Sequence, residues 1–220
     1  RLREICDERN ILLIEDAAHS IGAGIHGRKQ GKVGHLGCIS FHETKNIQCG
    51  EGGLLLVNDD KLLQTAEIVF EKGTDRAAFL RGEVPRYQWL RTGSSFSMSN
   101  LTAAMLLAQL QETESVSYRR GELWMQYRES FGNIDSFEKY FSLPYIPQNF
   151  EEFNAHVFFI KGRSPEMTLR IHDMLNKAGI SARFHYAPLH ESPFGKKYSG
   201  DCPVTSAESK CLLRMPLFYG

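Results

Sequence analysis

The stretch Ile11-Leu12-Leu13-Ile14-Glu15-Asp16 sets four apolar residues in a row and closes on two acids. A short continuous apolar run suits a strand buried on both faces, as in a sheet covered by helices on each side. The acids then stand at the carboxyl end of that strand, where open α/β sheets receive their ligands. Before it, residues 1–9 read as the end of an amphipathic helix. After it come two further strands, Cys38-Ile39-Ser40-Phe41 and Leu54 to Val57. Asn58-Asp59-Asp60 offers an N-cap ahead of Leu62, Leu63, Ala66, Ile68, Val69 and Phe70, which recur at helical spacing.

Farther along, residues 74–97 form a long polar and aromatic loop with Arg76, Arg81, Arg86, Tyr87, Trp89 and Arg91. Loops of that length in compact domains are usually functional. Ser99 caps a helical pattern that runs to about Phe131, and Pro144 and Pro147 mark a linker. Beyond it the spacing predicts a strand near His156–Ile160, a helix near Pro165–Ala178, a strand near Ile180–His185 and a short helix near Ser206–Leu213. Alternating strands and helices give an α/β chain, with a large domain over residues 1–140 and a smaller one over 141–220.

Composition narrows the function classes. Of 220 residues, 42% are hydrophobic and 24% charged, and 26 Lys plus Arg balance 26 Asp plus Glu. No basic surplus points to nucleic acid. The five cysteines are odd in number and form no C-x-x-C pair, so a reducing, cytoplasmic setting is expected rather than a disulfide framework or zinc ribbon. No apolar run approaches the ~18 residues of a membrane span. Arg1-Leu2-Arg3-Glu4 has no initiator Met and no signal-peptide core, and the sequence reads as starting inside a longer chain.

Gly22-Ala23-Gly24-Ile25-His26-Gly27 matches G-x-G-x-x-G in letters only. A dinucleotide site needs those glycines in the first turn after a strand with a helix directly behind, and here a turn-rich stretch follows. No H-E-x-x-H supports zinc catalysis and no G-x-S-x-G a serine nucleophile. Cys49 reads as a packed small residue. Asp16 alone would be a strand-end cap, and Lys45 alone a solvated loop lysine. Together, after two successive strands of a parallel sheet, they supply an amine and a carboxylate on one sheet edge. Pyridoxal phosphate (PLP) needs that pair, the amine for a covalent imine and the carboxylate at its pyridine nitrogen.

Glu15-Asp16-Ala17-Ala18-His19-Ser20 resembles the E-D-A-A-[QH]-S segment of the DegT/DnrJ/EryC1/StrS aminotransferases. Gly37 to Asn46, followed by Gly50-Glu51-Gly52-Gly53, is similar to that family's S-F-x-x-x-K-x-x-x-x-G-E-G-G segment. The likeness runs on through His185-Tyr186-Ala187-Pro188-Leu189-His190 to Arg214-Met215-Pro216-Leu217. It implies a fold-type-I PLP-dependent transferase with a mainly parallel sheet in its large domain and a smaller α/β C-terminal domain. Lys45 would be the imine lysine and acid–base group. Asp16 would face the pyridine nitrogen, His19 would stand near the ring hydroxyl, and Ser40 would hold the phosphate. Lys45 also sets the chain apart from relatives that carry His there and catalyse deoxygenation.

Ser95 occupies a position where many relatives have a phosphate-binding Asn, so it is not counted as a ligand. Glutamate and C4 of a dTDP-4-keto-6-deoxy sugar are the substrates the resemblance implies, for bacterial surface polysaccharide synthesis in a cytoplasmic homodimer. Substrate contacts are expected from Thr74–Thr92. Amination of another nucleotide keto sugar, at C3 or UDP-linked, stays open, as does a truncated chain without activity. The family's N-terminal segment and the end of its last helix are expected to lie outside these residues.

Overall fold

The computed structural model describes residues 1–146, 152–198 and 200–219, which leaves Pro147 of the expected linker outside the described residues. By contacts the chain divides into two compact units, Arg1–Ser117 with Glu151–Asn154, and Tyr118–Phe150 with Ala155–Gly220.

The first unit opens with helix α1 (Leu2–Glu8) and strand β1 (Ile14–Asp16). The glycine-rich stretch then forms a small hairpin, β2 (Gly24–Ile25) and β3 (Arg28–Lys29), before β4 (Leu36–Ser40). His26 and Gly27 at its tip both have positive φ, 50° and 75°, the backbone that two-residue hairpins require. No helix follows these glycines, so the stretch is not a dinucleotide turn. β1 and β4 pair in parallel with Asp16 opposite Cys38, and β4 pairs antiparallel with β5 (Gly53–Val57), in the order β1-β4-β5.

The crossover from β1 to β4 is held from below by side chains that alternate along β1. Glu15 points away from Asp16, and its carboxylate accepts the backbone N–H groups of Gly31 (3.0 Å), Val33 (2.6 Å) and Gly34 (2.6 Å). Asn58 donates to the carbonyls of the same turn, Gly31 at 2.8 Å and Gly34 at 3.1 Å. Gly37 must be glycine because a Cβ there would lie 2.1 Å from the Gly31 oxygen. His35 is buried; its Nδ1 accepts the Leu13 N–H at 2.8 Å, and its Nε2 donates to Asp7 of α1 at 2.9 Å.

Asp59 caps α2 (Asp60–Phe70) as the sequence predicts, accepting the Lys61 N–H. A short α3 (Arg76–Leu80) follows in the long loop. Ser99 caps α4 (Asn100–Gln111), accepting the Thr102 N–H. The single helix expected from Ser99 to Phe131 is in fact two, because α5 (Thr113–Gly132) starts afresh after Glu112. The Thr113 hydroxyl donates to the Leu110 carbonyl at 2.8 Å and Ser115 to the Glu112 carbonyl at 3.0 Å. Such side-chain bonds compete with the regular helical ladder.

Strands β1 and β5 depart from the expectation of burial on both faces. Ile11, Leu12 and Ile14 are 52–58% exposed, and Leu54 and Leu55 are 43% and 48% exposed.

In the second unit a four-stranded antiparallel sheet has the order β6-β7-β9-β8: β6 (Phe141–Ser142), β7 (Phe158–Gly162), β8 (Arg183–Phe184) and β9 (Leu212–Met215). With it go α6 (Phe137–Tyr140), α7 (Pro165–Lys177) and α8 (Pro203–Ser209). The helix expected at Ser206–Leu213 ends at Ser209, and Leu212–Met215 is a strand with alternate residues buried. Phe158, Ile160, Leu213 and Trp124 form the core, with the Trp124 ring edge-on to Phe158. Buried Arg120 donates to the carbonyls of Ala155, His156 and Leu217, and desolvation holds its guanidinium below the usual arginine range. No helix among the described residues is long and apolar enough to cross a membrane.

Candidate active site

Parallel pairing puts the carboxyl ends of β1 and β4 on one edge of the sheet. Asp16 is the last residue of β1, and the Ala17 N–H continues the ladder to the Cys38 carbonyl at 2.9 Å. Asp16 is exposed, and its Oδ1 accepts the Ala18 N–H at 3.1 Å. It therefore does cap the strand end, with one oxygen. The other, Oδ2, has no hydrogen bond among the described residues. His19 lies on the loop just beyond, also exposed.

Ser40 ends β4 half-buried. Its Oγ accepts the His42 N–H at 3.3 Å, which leaves the hydroxyl proton to be donated elsewhere. Lys45 follows on the β4–β5 loop, whose rungs run from Phe41 N–H to the Gly52 carbonyl and from Glu43 N–H to the Gly50 carbonyl, both 2.8 Å. The Cys49 N–H closes the loop onto the Phe41 carbonyl at 2.9 Å. Beneath it, Phe41 and Ile47 are 2% and 1% exposed and pack with Cys49, Leu106 and Val116. The His42 ring is turned inward on the loop, its Nδ1 accepting the Thr44 N–H at 3.2 Å.

Lys45 is half-buried between these anchors, and its amine has neither hydrogen bond nor ion pair among the described residues. Cys49 is the packed residue the sequence suggests. Burial, and then Glu51, push its thiol above the usual range, which keeps it protonated and a poor nucleophile. An unengaged amine, a carboxylate with a free oxygen and a hydroxyl with a free proton are the donor set that PLP calls for. The residues present fit that group.

Sequence reasoning missed Asn154. It is buried, 7% exposed, and its side-chain amide donates to the carbonyls of His19 at 2.6 Å and Ile21 at 3.0 Å. Its own carbonyl accepts from the Asn46 side chain, next to Lys45, at 2.7 Å. No motif announces it, because its partners are remote in sequence. The long loop also differs from its outline. Arg76 pairs with Glu71 at 3.4 Å, Arg81 with Glu67 and Glu83 at 2.8 and 2.7 Å, and Arg91 reaches Thr65 at 3.3 Å. Most of its arginines are therefore engaged within the unit. Ser95 sits at the base of that loop in an isolated bridge with Glu71.

Comparison with known proteins bears on the family and the fold. The sequence model of the DegT/DnrJ/EryC1/StrS aminotransferase family matches residues 1–220. An uncharacterised protein of Methanocaldococcus jannaschii, MJ1066, is 28% identical over 202 residues, covering 90% of this chain and 51% of its own length. The crystal structure of a DegT DnrJ EryC1 StrS aminotransferase from Brucella abortus superposes with a TM-score of 0.80 at 26% identity, over 98% of this chain and 54% of that one. DesI, solved in the presence of its TDP-sugar product, has the same fold at 24% identity, with a TM-score of 0.76 over 98% of this chain and 53% of its own. The chain thus spans about half the length of the relatives it matches.

Proposed function

The chain belongs to the DegT/DnrJ/EryC1/StrS aminotransferase family, and from that premise we propose that its protein is a PLP-dependent sugar-nucleotide transaminase. The amino group passes from glutamate to C4 of a dTDP-4-keto-6-deoxy sugar. One observation carries the reading: Asp16 and Lys45 follow the carboxyl ends of two adjacent parallel strands, and each keeps a polar atom unengaged among the described residues. The TDP-sugar product named for DesI supports a dTDP-linked substrate. Phe41-His42-Glu43-Thr44-Lys45-Asn46 and Gly93-Ser94-Ser95-Phe96-Ser97-Met98-Ser99 favour the C4 branch. They resemble the dTDP-4-amino-4,6-dideoxygalactose transaminase of enterobacterial common antigen synthesis.

When bound, PLP supplies an electron sink for the carbon that loses its proton and a carrier for the nitrogen. The chain supplies the rest. Lys45 would hold the cofactor through Nζ, and its amine, freed when the amino donor takes that place, would carry the proton from the donor's alpha carbon to the cofactor. The free oxygen of Asp16 would hold a proton on the pyridine nitrogen. Ser40 would donate its hydroxyl to the phosphate, and His19 would stand near the ring hydroxyl. The protein acts as a cytoplasmic homodimer, with exposed Tyr87 and Trp89 of the long loop (45% and 75%) at the contact.

Incubation of the protein with PLP, glutamate and a dTDP-4-keto-6-deoxy sugar should yield the 4-amino sugar nucleotide and 2-oxoglutarate. Nitrogen found at C3 by NMR would overturn the regiochemistry. No transfer to any keto sugar nucleotide would overturn the activity.

A further inference from the structure

We propose that Asn154 is a positioning residue that sets Lys45 in register with Asp16 and His19; the proposal rests on the reading of Lys45 given above. Asn154 reaches the loop after β1 through its side chain and the loop after β4 through its backbone. Both of its amide hydrogens are engaged, at 2.6 Å on the His19 carbonyl and 3.0 Å on the Ile21 carbonyl. Its carbonyl takes the Asn46 amide at 2.7 Å. Just before it, the Glu152 carboxylate accepts the Gly27 N–H, so the segment also grips the tip of the β2–β3 hairpin.

Those two loops carry the candidate groups. A further link between them is apolar, Ile21 against the cluster of Phe41, Ile47 and Cys49. Apolar contact is non-directional and sets separation but not orientation. Hydrogen bonds weaken steeply off-axis and fix orientation as well. Lys45 is flanked by both devices, Asn46 bonded to Asn154 and Ile47 buried at 1% exposure. A displacement of about 1 Å at a reacting group can reduce rate ~100-fold, so a staple of this kind bears on chemistry as well as on folding.

Asn154→Asp keeps the shape and removes both donors. It sets a carboxylate against two carbonyl oxygens in a buried position, which raises that carboxyl's pKa above its usual value. Its protonated form regains one O–H donor. Hydrogen exchange on the full chain should therefore rise about tenfold near pH 8, in residues 17–23 and 42–48 together, more in Asn154→Asp than in Asn154→Ala. Relative to the unsubstituted chain, the excess in Asn154→Asp should shrink as pH falls toward ~5. Asn46→Ala, which leaves the Asn154 amide in place, should loosen residues 42–48 alone. Reductive trapping of PLP should label Lys45 about tenfold more slowly in Asn154→Asp, with the same recovery at low pH. Loosening confined to residues 17–23, or an Asp variant that behaves like the unsubstituted chain, would overturn the staple and leave the Lys45 assignment standing. A label on another lysine of the unsubstituted chain would overturn both.

Discussion

Between Phe41 and Gly52 the chain is pinned from inside, by Phe41, Ile47 and Cys49 in the core, and it holds out one lysine whose amine is unengaged among the described residues. Between Thr74 and Thr92 it is pinned at its base and along its outer edge. Gly73 and Gly93 touch so closely that a Cβ on Gly93 would lie 2.1 Å from the Gly73 nitrogen. Buried Thr74 donates to the Glu71 carbonyl at 2.7 Å, and Asp75 accepts the Gln88 N–H at 2.7 Å. There most of the arginines are engaged, Arg76 and Arg81 by glutamates and Arg91 by Thr65, and apolar side chains face outward, Trp89 at 75% exposure and Leu80 at 65%. The arginines of a charge-rich loop can be engaged by neighbouring glutamates. The better sign of chemistry is a charged group left over on a rigid support.

The largest expected effect tests that sign directly. Lys45→Ala should abolish reductive trapping of PLP at this position and lower nitrogen transfer by roughly 10⁴-fold. Label and turnover that survive the change would move the chemistry elsewhere. Next come the adjacent acids of β1. Asp16→Asn can still cap Ala18 but cannot hold a proton on the pyridine nitrogen. With an ionic hydrogen bond worth ~1.5–3 kcal/mol, turnover should fall about 100-fold at unchanged thermal stability. Glu15→Gln faces three backbone donors with one carbonyl oxygen, and should cost about 1–3 kcal/mol of stability while trapping at Lys45 persists. Reversed results for the pair would exchange their assigned roles.

The inside and outside anchoring can be compared in the same way. Ile47→Ala should destabilise the protein by about 2–5 kcal/mol, since it opens a cavity under the Lys45 loop. Trp89→Ala should stay within about 0.5 kcal/mol in unfolding of the isolated protomer. Its effect should appear instead in sedimentation, as weaker self-association. Equal losses of stability from the two substitutions would erase the distinction between the loops.

What the sequence disclosed follows the range of the interactions. The strand end at Asp16 and the caps at Asp59 and Ser99 are local patterns and are found where the spacing puts them, while β4 ends at Ser40, one residue before the expected Phe41. The break at Glu112 was hidden because Thr113 and Ser115 act through hydroxyl bonds that hydrophobic periodicity does not register. Strand β9 was hidden because Leu212 and Leu213 continue the apolar spacing of the helix before them. Asn154 was hidden because a polar staple is defined by partners 108 and 135 positions away. The long loop was half legible: its arginines stood out, but the glutamates that engage them lie in another element or across the loop.

The smallest effect belongs to that arginine cluster and concerns acid. Arg81 meets Glu67 through both terminal nitrogens, at 2.8 and 3.1 Å, and Glu83 through Nε and Nη2, at 2.7 and 3.2 Å. Its hydrogen bonds, and then its charge, hold the Glu83 carboxyl below the usual range, while Arg81 itself is held above its own. A carboxyl whose folded pKa is depressed contributes stability that is fully present above the unfolded value, ~4.3, and is lost as pH falls through the lower folded value. The cluster is solvent-exposed, so the effect is modest and salt-screened. As pH drops from about 5 toward 3, hydrogen exchange corrected for its intrinsic rate should rise in Arg76–Leu80 before it rises in residues 42–48, whose anchors are apolar. Arg81→Gln should remove that acid step, and ~1 M salt should blunt it. If the Lys45 loop opened over the same pH interval, or if Arg81→Gln left the step in place, the two loops would not be held by different physics.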